Sequence, residues 1–359
     1  MWKTQEIAVS DRHDILEIGC YRFFHELMPD RTTYVAVGAS RDDAARADLV
    51  LGSATLRTFR RLVGQPNFKI VLVRVNSIPP RTWPSVLQAV CDASDFALRK
   101  RGLWSLRPEG RRVRQAPLIV ADFEDEAAIL PCNLPLLRAC SIYFKRELPA
   151  DRWRLLTDAL AGRENKWVVR ADPRYRALVQ KLHPLPLGLP LVATRHSIPA
   201  DEIQKTIDLF FAGSIDSRSW VRTVGLAELD ALRHNGISIE LACDPLAPEA
   251  FYRRCAQAYL TWSPQGLGWD CWRHYEAAAC RSVPLINYPP IERHAPLRQD
   301  QHALFYDPSP GGLTQTVLAA LADKPRLLSM AAAARQHVIA HHTPEAIAEL
   351  ILSKAMATS

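Results

Sequence analysis

Four prolines within LHPLPLGLPLVATRHSIPAD (Pro184, Pro186, Pro190 and Pro199) divide this chain, because each lacks a backbone N–H and fixes φ. No continuous helix or central strand can run through such a segment. At 359 residues the chain also exceeds the usual size of one hydrophobic core. Two domains are therefore expected, residues 1–185 and 206–340, joined by a Pro-rich linker at 186–205 and followed by a C-terminal helical segment at 341–359.

Before the break, β-rich apolar runs recur: TTYVAVGAS, ADLVLGS, FKIVLVRV, APLIVADF and SIYFKREL. Stretches of helical period, such as TWPSVLQAVCDAS and ADRWRLLTDALAGREN, lie between them. That alternation predicts a parallel α/β layer of Rossmann type. After the break the order β, α, β restarts with TIDLFFAGS, a helix ending at Gly236, and SIELAC. PEAFYRRCAQ follows as a helix, AYLTWSP as a strand and QGLGW as a loop entering a helix near Asp270. SVPLINYP and HALFYD are later strands, and three helical segments close the chain.

Composition narrows the function classes. Hydrophobic residues at 48% and charged residues at 23% describe a folded chain. The eight cysteines are dispersed without CxxC pairs, which suits a reducing cytosol and excludes the usual zinc and redox spacings. The start MWKTQEIAVSDRHD lacks a signal-peptide pattern, and no run approaches the ~18 apolar residues of a membrane span. A cytoplasmic protein is expected. The net charge of +7 permits peripheral contact with anionic membrane or phosphorylated substrates. The basic residues come in small groups, Arg99 to Arg101 and Arg111 to Arg114, without the aromatic interleaving of single-strand binders, so nucleic acid is not expected as a partner.

The segment TWSPQGLGWDCWRHYEA, a strand, a glycine loop and a helix start, aims free backbone N–H groups and a positive helix end at an anion. Gly266 and Gly268 allow close backbone approach, and Asp270 is placed to cap the helix. Arg273 and Glu276 share a helical face: an arginine can neutralise a diphosphate and a carboxylate can accept from ribose hydroxyls. Alone, the pair reads better as a common surface i, i+3 ion pair, and the glycine loop tips the balance toward a ligand.

The string SPQGLGWDCWRHYEAAACRSVPLI resembles the donor-binding segment of GT-B glycosyltransferases, especially the CgeB-like and exostosin-like groups, with their pattern SPxGxGxDxxRxYEAxxxxxxPLI. The resemblance implies a GT-B fold, two Rossmann-like domains facing a central cleft, with an N-terminal acceptor domain and a C-terminal donor domain. The final helix would pack back toward the N-terminal domain. The resemblance makes Glu276 the ribose ligand and the glycine loop the diphosphate site. FFAGSIDSRSWVR similarly resembles the family's first donor-domain loop, with Gly213 and Ser214 at its turn and Arg218 or Arg222 reaching phosphate. Retaining relatives carry a glutamate eight positions before the second one; here that position is Gly268, so the stereochemical outcome stays open, with Asp270 as a partial substitute or a helix cap.

On this reading the chain transfers a sugar from a nucleotide-diphosphate donor to a saccharide, lipid-linked or protein acceptor, in the manner of cell-surface polysaccharide assembly. It needs neither metal nor cofactor, the sugar nucleotide being a co-substrate. A sugar-nucleotide epimerase and an inactive nucleotide-sugar-binding protein are the alternatives. Catalytic carboxylates are sought in ADFEDE, where Asp122, Glu124 and Asp125 follow an apolar run and would sit at a strand's carboxyl end. Helix capping explains them equally well. Lys145 and Arg146 in YFKRE are candidates for phosphate or acceptor contact, or a solvated basic pair at a sheet edge. Of the tryptophans around the glycine loop, Trp262, Trp269 and Trp272, only Trp269 is assigned to the ligand, because it lies in the loop. His25 reads as a packed helix residue, and His341 and His342 as complements of a helix dipole.

Overall fold

The computed structural model describes residues 12–75, 82–92, 116–159, 173–191, 193, 198, 203–214 and 219–358. Arg218 and the basic groups around Arg99 and Arg111 lie outside these residues. The chain divides into two compact units, Met1–Leu185 with Ala348–Ser359, and Pro186–Ile347.

The first unit is built on seven parallel strands: β1 (Ile15–Gly19), β2 (Thr32–Ala36), β3 (Leu49–Val50), β4 (Ile70–Arg74), β5 (Leu118–Asp122), β6 (Ile142–Lys145) and β7 (Leu182–Pro184). Their order across the sheet is β3, β2, β1, β4, β5, β6, β7, so the winding direction reverses between β1 and β4. Described helices between them are α1 (Phe24–Leu27), α2 (Arg41–Ala45), α3 (Leu56–Val63), α4 (Trp83–Asp92), α5 (Leu134–Ala139), α6 (Trp153–Ala159) and α7 (Pro173–Val179). A parallel sheet covered on both faces needs strands that are apolar throughout, and β1, β2, β5 and β6 are buried along their whole length.

Two strands depart from the sequence reading. ILEIG forms β1, although Glu17 interrupts its apolar run; the buried carboxylate accepts the N–H groups of Phe23 at 2.7 Å and His25 at 2.9 Å. The proline-rich stretch begins with a short strand, β7, tolerated because it lies at the sheet edge and Pro184 ends it.

The second unit contains β8 (Ile207–Ala212), α8 (Trp220–Arg233), β9 (Ile239–Ala242), α9 (Pro248–Gln257), β10 (Ala258–Trp262), α10 (Trp272–Ala279), β11 (Val283–Asn287), β12 (Leu304–Tyr306), α11 (Gly312–Leu321) and α12 (Lys324–His341). A last helix, α13, spans Pro344–Met356. The five strands are parallel in the order β12, β11, β10, β8, β9, and the reversal lies between β10 and β8. Each face of this sheet carries its own apolar core, one around Phe210 and Ile286 and the other around Phe211 and Trp262. Gly225 lets α8 settle onto β10, since a side chain there would run into the Trp262 ring, and the indole N–H donates to the Tyr306 hydroxyl at 2.9 Å. None of the described helices is long and apolar enough to cross a membrane.

Candidate functional site

Open α/β sheets place ligands beyond the carboxyl ends of their strands, where the winding reverses. In the second unit that point lies between β8, which runs into Gly213 and Ser214, and β10, which runs into the loop Ser263–Cys271. The helices that follow these strands, α8 and α10, begin there.

Side chains fix this loop from several directions. His274 bridges its two ends, pairing Nδ1 with the Ser263 hydroxyl at 2.7 Å and Nε2 with the Trp269 carbonyl at 2.9 Å. The Asn287 side chain accepts from the Gln265 N–H and donates to the Gln265 side chain, both at 2.9 Å. Ser219 donates its hydroxyl to the Gln265 carbonyl at 2.8 Å, which joins the loop to the start of α8. Such bracing orders the loop backbone in advance, so a ligand bound there would cost less conformational entropy. Ser219, Ser263, Gln265, His274 and Asn287 escape the sequence reading because their partners come from separate elements.

The electrostatics are one-sided. Neither α8 nor α10 has a side-chain cap, and neither carries an acidic residue in its first turn. Their opening turns hold arginines instead, Arg222 and Arg273, which oppose the helix dipole in the absence of an anion. Arg222 is buried; its Nη1 donates to the Ser214 carbonyl at 2.8 Å, while its Nε has no partner among the described residues. Arg273 lays its guanidinium over the Phe211 ring at 4.9 Å, and its buried Nε and Nη1 likewise find no partner among the described residues. Burial, together with the nearby charge of Arg222, lowers the Arg273 pKa from its usual value.

The glycines account for the close fit. The Arg273 guanidinium rests against Gly213, where any side chain would collide with it, and a Cβ at Gly266 would lie 3.1 Å from Nη2 of Arg222. Gly268 is buried and accepts the Gly266 N–H at 3.0 Å, which closes the turn of the loop. Glu276 does not spend its carboxylate on Arg273: its Oε1 accepts the Tyr252 hydroxyl at 3.2 Å. Burial pushes the Glu276 carboxyl up, against the pull of the Arg273 charge.

Three expectations need correction. Asp270 does not cap α10: it is buried, and its oxygens accept the Leu187 N–H and the Tyr275 hydroxyl, each at 2.7 Å. The N-cap position falls to Cys271, and Asp270 anchors the Pro-rich segment instead. Trp269 turns into the core at 4% exposure, donates its indole N–H to the Asn287 carbonyl at 2.9 Å, and packs on His274 and Phe305. Trp272, by contrast, is exposed at the start of α10. His342 is no dipole complement: burial lowers its pKa to about 3, so it is neutral at ordinary pH. His25 is a half-buried helix residue against Tyr34.

The candidates in the first unit meet a different environment. Asp122 ends β5 fully buried and accepts from Lys145 Nζ at 2.9 Å, the Tyr143 hydroxyl at 2.7 Å and the Glu124 N–H at 3.1 Å. A carboxylate held by three donors serves as a strut for the β5–β6 edge, not as an accessible base. Lys145 is equally buried and donates also to the Glu124 carbonyl at 3.2 Å, so it is not a solvated edge residue. Arg146 pairs with Asp125 at 2.7 Å and lies 3.5 Å from Glu147. Of the three carboxylates, Glu124 and Asp125 keep contact with solvent. Among the described residues no group of His, Cys, Asp or Glu side chains is arranged to hold a metal ion.

No family profile and no curated protein matches the sequence. Solved structures do resemble it over nearly its whole length. A glycosyltransferase from Rickettsia africae ESF-5 aligns with a TM-score of 0.58 at 10% identity, covering 97% of this chain and 99% of that one. HepE from Anabaena in complex with UDP aligns with a TM-score of 0.55 at 8% identity over 96% and 100% of the two chains. A UDP-forming α,α-trehalose-phosphate synthase from Burkholderia xenovorans gives 0.51 at 9% identity over 96% and 99%. With two parallel Rossmann-like sheets of seven and five strands and these likenesses, the chain has the GT-B fold of glycosyltransferases.

Proposed function

We propose that this chain is a nucleotide-sugar-dependent glycosyltransferase whose C-terminal unit holds the donor at the β8/β10 reversal. The observation that carries the reading is the pair Arg222 and Arg273, close enough for one charge to depress the pKa of the other, with buried guanidinium N–H groups that have no partner among the described residues. Burying like charges this way is costly unless an anion completes them. A diphosphate supplies the charge, and the uncapped starts of α8 and α10 supply backbone donors for its oxygens. These groups would also stabilise the departing diphosphate as the glycosidic bond to it breaks.

Glu276, oriented by Tyr252, accepts the ribose hydroxyls in this scheme. The base is uracil, in keeping with the UDP and UDP-glucose complexes of HepE. Arg218, four positions after Ser214 in the sequence, is a further phosphate ligand on the sequence resemblance alone. For the acceptor hydroxyl, Glu124 serves as the base, since Asp122 is committed to Lys145 and Tyr143 and Asp125 to Arg146.

Calorimetric titration with UDP, uridine and UDP-glucose tests the donor site. UDP should bind far more tightly than uridine, and Glu276→Ala should weaken both by about 2 kcal/mol through loss of a charged hydrogen bond. Equal affinity for UDP and uridine would remove the diphosphate role. Incubation of single UDP-sugars without acceptor separates the epimerase alternative, which alone would return an altered sugar nucleotide.

A further inference from the structure

The first unit has its own reversal point, between β1 and β4, and the residues there are outside every role assigned above. Gly19 ends β1 and Arg74 ends β4, side by side in register after the pair Ile18 and Val73. They fit closely: a Cβ at Gly19 would lie 2.8 Å from the Arg74 Cβ.

The Arg74 guanidinium is framed by aromatic rings, with its central carbon 4.5 Å from the centroid of Phe123, 5.5 Å from Tyr21 and 6.0 Å from Phe23. Rings within about 6 Å of a guanidinium hold it by cation–π attraction without consuming its N–H donors, which a bidentate acceptor can then use. Tyr21 is 58% exposed, so its ring also offers a surface to a ligand.

Other charges at this edge are satisfied. Arg22 binds Glu26 at 2.9 Å, Asp43 at 3.0 Å and Asp42 at 3.2 Å. Asp122 binds Lys145, and Asp125 binds Arg146. Glu17 lies near enough to feel the Arg74 charge but directs its oxygens to the N–H groups of Phe23 and His25. Among the described residues, the Arg74 side chain makes neither a hydrogen bond nor an ion pair.

We propose that Arg74, framed by Tyr21, Phe23 and Phe123, is an anion-recognition subsite for a sugar that bears a phosphate or a carboxylate. The guanidinium edge takes the anionic group and the Tyr21 ring supports the sugar. Assigning that sugar to the acceptor side rests on the transferase reading; the binding itself does not.

The test titrates the full chain with glucose 6-phosphate, glucuronate, inorganic phosphate and glucose, by calorimetry or ligand-observed NMR. It is run in saturating UDP, and in parallel on an Arg222→Ala/Arg273→Ala double variant, so that the other arginine pair cannot capture the probes. At least one anionic sugar should bind roughly tenfold or more tighter than glucose, and Arg74→Gln should abolish that preference. Whichever of phosphate and carboxylate binds better identifies the anion. Tyr21→Ala, at an exposed position that folding tolerates, should weaken the sugar ligand while sparing inorganic phosphate. Equal binding of glucose, unchanged affinity in Arg74→Gln, or no anion bound at all would overturn the proposal. Failure of UDP to bind, with the Arg74 effects intact in the double variant, would count against the donor reading alone.

Discussion

The carboxyl edges of the two sheets are built from similar residues and differ in how charge is closed. At the β5–β6 edge of the first unit, Asp122, Lys145 and Tyr143 satisfy one another within hydrogen-bonding distance, and Asp125 and Arg146 do the same. At the β8/β10 reversal, Arg222 and Arg273 stand together with N–H groups that the described protein does not use. Closed charge supports an edge, and open charge is what the proposed ligand sites share. Arg74 brings that second pattern into the first unit.

The largest effect should come from opening a closed site. Lys145→Met strands the Asp122 carboxylate in the core and is expected to cost about 3–5 kcal/mol in urea unfolding, whereas Lys145→Met with Asp122→Leu should recover much of it. A small loss in the single variant would break the contrast between the two edges.

Arg273→Met asks the opposite question. Removing a charge that has no hydrogen-bond or ion-pair partner among the described residues should leave unfolding of the ligand-free protein unchanged or shifted to higher denaturant. The same change should weaken UDP by about 3 kcal/mol and uridine little. Parallel losses of stability and affinity would make Arg273 a structural residue like Lys145.

Acid should act on the second unit through His342, whose Nε2 donates to the Ala295 carbonyl at 2.8 Å while its ring packs 4.7 Å from Tyr275, the partner of Asp270. Its pKa is depressed from 6.5 to about 3, so the stabilisation is full above pH 6.5 and is lost as pH falls toward 3. From pH 7 to 5 the loss should be about 2 kcal/mol, and His342→Gln should flatten it. His337 and His302, also lowered by burial, act in the same direction, and His294 and His341 lie close by. An identical pH slope in His342→Gln would reassign the effect to them.

The smallest effect expected is that of Tyr252→Phe, which removes the one hydroxyl held by Glu276. It should lower affinity for UDP by about 1 kcal/mol and leave affinity for inorganic pyrophosphate unaltered. A loss shared by both ligands would place Glu276 on the phosphates and not on the ribose.

Much of the fold was legible because period and punctuation are local. The runs PEAFYRRCAQ and AYLTWSP became α9 and β10 with boundaries close to those expected, since Pro248 opens the helix and β-branched and aromatic residues favour the strand. β1 was missed because a buried glutamate breaks its apolar run, and only the N–H groups of a following loop explain the residue. Arg74 did leave a trace, a charge closing the apolar run FKIVLVRV, but arginines that end strands are common on any surface.

By itself the sequence determined the α/β class and the placing of a glycine loop before a helix that carries Arg273 and Glu276. These follow from spacing along the chain. Tertiary structure alone decided which charges are open: Asp122 found Lys145, Asp270 found Leu187 and Tyr275, and Trp269 found the core, whereas among the described residues Arg222 and Arg273 kept N–H groups unpaired and Arg74 met only aromatic rings. The physical reason is that a charged group's free energy depends on what lies within a few ångströms of it. For these residues the partners arrive from elements many positions away, brought together by the order in which the strands join the sheet.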